Sequence, residues 1–220
     1  MAALTLSYLD AISRLPAGGT LILNDVPWEE YEQLVNNLGD DYGVRISYDQ
    51  GRLEVISPST FHEMYKDLVY CIAFILSQET KSPFESRGST TFRQDWARKG
   101  AEPDTCFYIK NAARISGKRR IDLTIDPPPD IVVEIDVSQE STRKVQFYAG
   151  LGVPEVWRYD ERSARIYVLT DQAYVEVSSS QSFPVLTSEA LSQALEQSKS
   201  EGGQMAAIAS FREWLSAQTS

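Results

Sequence analysis

Apolar positions along this chain alternate between helical and strand periods. Leu4, Tyr8, Ile12 and Leu15 recur at helical spacing and predict a first helix over 4–15. Residues 20–24 form a short apolar strand. Pro27 then stands where a first helical turn accepts proline, and Trp28, Tyr31, Leu34, Val35 and Leu38 continue as a helix ending near Gly39. Val44, Ile46 and Tyr48 alternate, Asp49-Gln50-Gly51 turns, and Leu53 and Val55 alternate again, which predicts a β-hairpin. Ser57-Pro58-Ser59-Thr60 supplies caps for a helix to about Glu79, whose Met64, Leu68, Cys71, Ile72, Ile75 and Leu76 form a 3.6-period stripe.

Strands are predicted near 84–93 and 105–109, followed by a basic excursion over 110–120. Asp126-Pro127-Pro128-Pro129 excludes regular structure and leads stiffly into a strand over 130–137. A helix over 141–150 stops at Gly150 and Gly152. Strands near 155–159, 165–169 and 173–177 form a meander, and helices follow over 188–197 and 205–217. This order is that of a mixed α/β protein with a central sheet covered by helices. We divide it into a main domain, 1–187, and a helical C-terminal extension, 188–220. Ser198 to Gly203 reads as a flexible link. The apolar side of the last helix, with Met205, Ile208, Phe211, Trp214 and Leu215, leads us to expect a homodimer through it.

A length of 220 residues suffices for a real core, and 42% hydrophobic with 24% charged residues is ordinary for a globular protein. The net charge of −10 argues against a general nucleic-acid coating protein, but leaves room for an enzyme whose acids serve a metal and whose basic patch is local. Cys71 and Cys106 have no Cys or His at zinc spacing and read as reduced core thiols. No stretch approaches the ~18 apolar residues of a membrane span, and no secretory signal opens the chain. A cytoplasmic protein without a membrane partner is the expectation.

The candidate chemistry lies in the acids. In strand 130–137, Val132, Glu134 and Asp136 share one face, while Ile131, Val133, Ile135 and Val137 share the other. The second face is core. The first becomes acidic within a strand rich in β-branched residues, where unpaired acids seldom sit; a solvated face is the competing reading. Glu102-Pro103-Asp104 opens the preceding strand. Taken alone, Pro-Asp is a turn opener. Paired with Glu134 from an adjacent antiparallel strand, Asp104 could share one hard cation such as Mg²⁺ or Mn²⁺. Lys144 and Tyr148 are spaced i, i+4 on the following helix, so Lys144 is either a surface lysine or one reaching back toward Glu134. Arg87, Arg93, Arg98 and Lys99, with the basic residues of 110–120, are candidate nucleic-acid contacts, with a solvated basic face as the alternative. Trp28, Trp96, Trp157 and Trp214 could stack on bases, with packing the better reading for Trp157 and Trp214.

The order of these motifs resembles the PD-(D/E)XK nuclease superfamily and, more narrowly, the Uma-two family of restriction-endonuclease-like proteins. The resemblance rests on four stretches: Ser57-Pro58-Ser59 with His62; Glu102-Pro103-Asp104; Pro129 to Glu134; and Lys144 with Tyr148 through Trp157. It spans about residues 20–185. It implies a restriction-endonuclease-like αβββαβ core and a Mg²⁺ held by Asp104, Glu134 and the carbonyl of Ile135. It also implies a catalytic set of Asp104, Glu134 and Lys144. His62, Asp136 and Tyr148 would support that set from behind. The superfamily places a lysine two residues after the glutamate, where this chain has Asp136, and Lys144 is the migrated substitute.

The resulting expectation is a Mg²⁺-dependent endonuclease hydrolysing phosphodiester bonds in DNA. The alternative is a catalytically silent module that keeps the nuclease fold for binding. A carboxylate-pair glycosidase is disfavoured, since it would leave the lysine unexplained.

Overall fold

The computed structural model describes residues 2–38, 43–135 and 142–219. In chain order the elements are α1 (Ala2–Ser13), β1 (Thr20–Leu23), α2 (Trp28–Leu38), β2 (Arg45–Asp49), β3 (Arg52–Ile56), α3 (Thr60–Thr80), β4 (Glu85–Ser86) and β5 (Phe92–Gln94). A 3₁₀ turn (Asp95–Ala97) leads to β6 (Lys99–Ala101), β7 (Thr105–Tyr108), α4 (Ala112–Ile115), β8 (Ile131–Ile135) and α5 (Thr142–Leu151). The chain closes with β9 (Glu155–Tyr159), β10 (Ala164–Thr170), β11 (Ala173–Val177), α6 (Ser188–Gln197) and α7 (Gly203–Thr219).

These elements divide into two compact units, Met1–Glu63 with Thr91–Glu102, and Met64–Thr90 with Pro103–Ser220. The predicted helices and hairpins form nearly where their periods place them, and the α/β class holds. Among the described residues the sheets number two, however. The hairpin β2–β3 belongs to a five-stranded antiparallel sheet of order β1-β3-β2-β6-β5. The expected single strand over 84–93 is broken at Gly88, whose φ of 53° is a left-handed value that glycine adopts without strain. Its two ends become β4 in one sheet and β5 in the other.

The first unit closes around Trp28, Tyr31, Leu34, Ile46, Tyr48 and Leu53. Tyr31 and Tyr48 stack at 4.7 Å between ring centroids. Their packing requires Gly100: a Cβ there would lie 2.0 Å from Tyr31 Oη and 2.8 Å from its Cζ. Gly100→Ala is therefore expected to destabilise this unit by about 2–3 kcal/mol through overpacking, read as a lower urea midpoint.

The second unit carries the mixed sheet, of order β11-β10-β9-β8-β7-β4. Strands β7 and β8 are antiparallel, and β8 runs parallel to β9 across the α5 crossover. Every residue of β8 is buried. The face with Ile131, Val133 and Ile135 joins Phe107, Trp157, Leu68 and Ile72 in the larger core. The C-terminal helices complete it: Leu191 and Leu195 of α6 and Ala207, Phe211 and Leu215 of α7 are buried there. The apolar side of α7 is thus covered by its own unit. Among the described residues no helix is long and apolar enough to cross a membrane.

Candidate active site

The opposite face of β8 holds Glu134, 3% exposed, and Asp104 just before β7 is 2% exposed. Thr105 lies across from Val133, and the Asp104 N–H donates to the Val133 carbonyl at 3.1 Å. Asp104 therefore stands beside Glu134 at the C-terminal end of β8. Its Oδ2 accepts the Ile135 N–H at 2.6 Å, a main-chain contact that helps to fix the carboxylate. The sequence carries no signal for this contact, because the donor is main chain.

Helix α5 brings two side chains onto Glu134. Lys144 Nζ lies 3.2 Å from Glu134 Oε2, and Tyr148 Oη donates to Oε1 at 2.6 Å. The i, i+4 spacing makes this possible, since both residues share one helical face. Lys144 keeps only 12% of its side chain exposed, so the pair sits in a medium where charge interactions are strong.

The Glu134 carboxyl is pushed up to about 7. Burial is the largest cause, and the Asp104 charge raises it further. Lys144 and the hydrogen bond from Tyr148 pull in the other direction. The Tyr148 hydroxyl is pushed well above its ordinary value by burial and by Glu134, and so remains a donor. Two carboxylates are thus held together at a cost in solvation and repulsion that a cation between them would relieve. Cys106, paired with Val132 on the same sheet face, is fully buried, and burial pushes its thiol up to about 12, leaving it inert.

Among the described residues no cluster of three or more His, Cys, Asp or Glu side chains is arranged to hold a metal. A pair of hard carboxylates still fits Mg²⁺, which is usually bound through one or two carboxylates and keeps several waters. It does not fit zinc, which takes three or four protein ligands, mostly nitrogen or sulfur.

The remaining acids of the motifs serve the fold. Asp130 Oδ2 accepts the N–H groups of Ile109 and Asn111 at 2.7 and 3.2 Å, and Oδ1 accepts Asn111 Nδ2 at 3.3 Å. Glu155, wholly buried, takes Trp157 Nε1 at 2.6 Å and the N–H groups of Gln181 and Ser182 at 3.2 and 3.0 Å. Glu102 accepts the Ile46 N–H at 3.0 Å and Thr91 Oγ1 at 2.6 Å, all within the first unit. Asp130→Ala is expected to cost about 2–4 kcal/mol, by stranding buried donors, while divalent-metal affinity stays at the parent value in calorimetry.

The other candidates divide as follows. His62 belongs to the first unit, buried near the start of α3, with its N–H on Ser59 Oγ at 3.2 Å and Nδ1 3.8 Å from Glu63. Arg93, Arg98 and Lys99 also belong to the first unit, where Lys99 pairs with Asp49 at 3.2 Å. Asp136 lies outside the described residues. In the basic excursion, Lys118 is paired with Asp126, while Arg114, Arg119 and Arg120 are exposed.

A family model described as "Putative restriction endonuclease", Uma2, matches residues 28–200. The chain belongs to the Uma2 family. No curated protein matches it. Its fold is similar to that of a crystal structure described as a "putative nuclease belonging to DUF820" from Anabaena variabilis ATCC 29413. The two share 16% identity at a TM-score of 0.52, over 86% of this chain and 99% of the other. The α/β architecture of this Uma2 protein is therefore similar to that of this neighbour. Its Glu-Ile-Asp run over 134–136 lacks the expected lysine two residues after the glutamate. An ammonium nevertheless stands beside Glu134, delivered from α5 by Lys144.

Proposed function

We propose that this Uma2 protein is a Mg²⁺-dependent endonuclease that hydrolyses phosphodiester bonds in DNA. The observation that carries the reading is the meeting of Lys144 and Tyr148 on the buried Glu134 carboxylate beside Asp104. Asp104 and Glu134 would hold the ion, with the Ile135 carbonyl as a third protein oxygen. When bound, Mg²⁺ supplies Lewis-acid activation of water and neutralises charge on the phosphate.

The chain's own groups do the rest. The Ile135 N–H holds Asp104 in place, and the Tyr148 hydroxyl holds Glu134. The Lys144 ammonium orients the attacking water and stabilises negative charge as it develops on the phosphoryl oxygens. Arg114, Arg119 and Arg120, in the same unit, are available to phosphate along the strand. A homodimer through the C-terminal helix would have to use residues left outside the core, such as Met205 at 76% exposure. Truncation after Ser198 with light scattering tests it: a drop from dimer to monomer supports association.

The function is tested by incubating the pure protein with plasmid, linear duplex and single-stranded DNA in Mg²⁺ or Mn²⁺, with and without EDTA. Cleavage that EDTA abolishes is the expected result. Cleavage indifferent to EDTA would refute the metal mechanism. An inert parent across DNA, RNA and several divalent metals would favour the silent binding module.

A further inference from the structure

Tryptophan is among the side chains most buried on average, yet Trp96 is 84% exposed, more than any other exposed large hydrophobic among the described residues. It sits on the 3₁₀ turn joining β5 to β6, at the edge of the five-stranded sheet, where among the described residues β5 pairs only with β6. The turn is tied down within the first unit. The Arg98 N–H donates to the Asp95 carbonyl at 3.1 Å, and the Gln50 N–H donates to the Arg98 carbonyl at 3.2 Å. Lys99 is anchored on Asp49. Arg98 is held at a φ of 49°, a left-handed conformation that costs a non-glycine residue about 1 kcal/mol or more and persists only where its surroundings impose it. The indole is therefore presented on a rigid mount and not on a loose loop.

The charges around it point to its ligand. Arg93 and Arg98 are exposed, and neither makes an ion pair among the described residues. Asp95 is exposed on the same turn, and Glu29 and Glu32 act beside Arg98 and Arg93 on the Tyr48 and Tyr31 hydroxyls. Along the turn itself two exposed arginines stand against one acid, on a chain of net charge −10. A single projecting indole between arginines is not a contiguous apolar patch of the kind that docks a protein or a lipid surface. It matches the pairing of aromatic faces with cations by which single strands are held.

We propose that the β5–β6 turn is a contact for single-stranded nucleic acid, in which Trp96 stacks on an unpaired base and Arg93 and Arg98 take neighbouring phosphates. The ligand class rests on the nuclease reading above; the added content is its unpaired form, because a continuous duplex hides its base faces from an indole.

The test is fluorescence anisotropy of full-length protein in EDTA, where metal-dependent cleavage is silent. The probes are labelled oligo(dT) and a blunt duplex of equal length. Trp96→Ala is expected to weaken oligo(dT) binding about 5- to 100-fold and to leave duplex binding nearly unchanged. The double variant Arg93→Ala/Arg98→Ala is expected to flatten the salt dependence. Oligo(dT) should also quench the parent's tryptophan emission, with that quenching lost in Trp96→Ala. Unchanged oligo(dT) affinity in Trp96→Ala, no oligonucleotide binding by the parent, or binding transferred to anionic phospholipid vesicles would each overturn the proposal. Parallel assays with Mg²⁺ separate the two readings. A parent that binds through Trp96 but cleaves nothing refutes the nuclease alone. A parent that cleaves with Trp96 irrelevant refutes this contact alone.

Discussion

Glu134→Gln is expected to abolish cleavage, by more than about 1000-fold, and to leave the fold intact. The amide is nearly isosteric but a poor ligand for a hard cation. Its oxygen can still accept from the Tyr148 hydroxyl, so that buried donor keeps its acceptor, while its NH₂ replaces the oxygen that faced Lys144. The same variant should change how stability depends on pH in EDTA. The Glu134 carboxyl lies near 7 in the folded protein against an ordinary value of 4.5. Between those values the native state binds the extra proton, so the parent should lose stability as pH rises from about 4.5 to about 7, then level off. The loss is on the order of 3 kcal/mol. Glu134→Gln should remove that slope, seen as urea midpoints that no longer fall across this window. Mg²⁺ should reverse the trend in the parent, raising the melting temperature more at pH 8 than at pH 5, because the ion must displace the proton. A parent without the slope would show that burial and Asp104 do not raise Glu134 as the geometry requires.

Lys144→Met is expected to slow the chemical step by roughly 100-fold or more, the scale of losing one transition-state donor, with metal affinity largely retained. The ammonium is 3.2 Å from Glu134 Oε2, close enough to share whatever that carboxylate holds. Single-turnover kinetics with saturating DNA distinguish loss of chemistry from loss of binding. Methionine keeps most of the apolar stem, so packing of the residue against the sheet changes little. Lys144→Arg is an informative companion: the charge remains, but the planar fork has different reach and geometry, and partial rescue would locate the effect in positioned charge. Wild-type rates for Lys144→Met beside a dead Glu134→Gln would leave the carboxylate site and remove the lysine from it.

The local sequence was sufficient for the longer elements. Hydrophobic periods of 3.6 and 2 mark the helices and hairpins, because each is set by neighbours a few residues apart. The acid in the buried strand was legible for the same reason: alternation in Ile131 to Ile135 puts Glu134 opposite the core face. So was the i, i+4 pairing of Lys144 and Tyr148. Nothing in a periodicity, however, distinguishes Glu134 from Asp130 or Glu155, which are equally buried acids in the same motifs. What separates them is the partner. Asp130 and Glu155 are saturated by N–H groups from segments about 20 to 27 residues away, whereas Glu134 meets a lysine and another carboxylate.

The break of the predicted 84–93 strand shows the same limit. A glycine in an apolar run marks a bulge, a turn or nothing, and only the pairing of β4 with β7 and of β5 with β6 assigns its two ends to different sheets. The sequence alone therefore determined most of the element order, though not the short β6 and α4, together with the buried strand and the helix face that carries Lys144. The tertiary structure decided that there are two sheets, that Asp104 is pinned by the Ile135 amide, and that Trp96 stands exposed on a fixed turn. Each of these depends on register and hydrogen-bond partners far apart in the chain, and main-chain donors are alike at every residue except proline, so no residue type announces them.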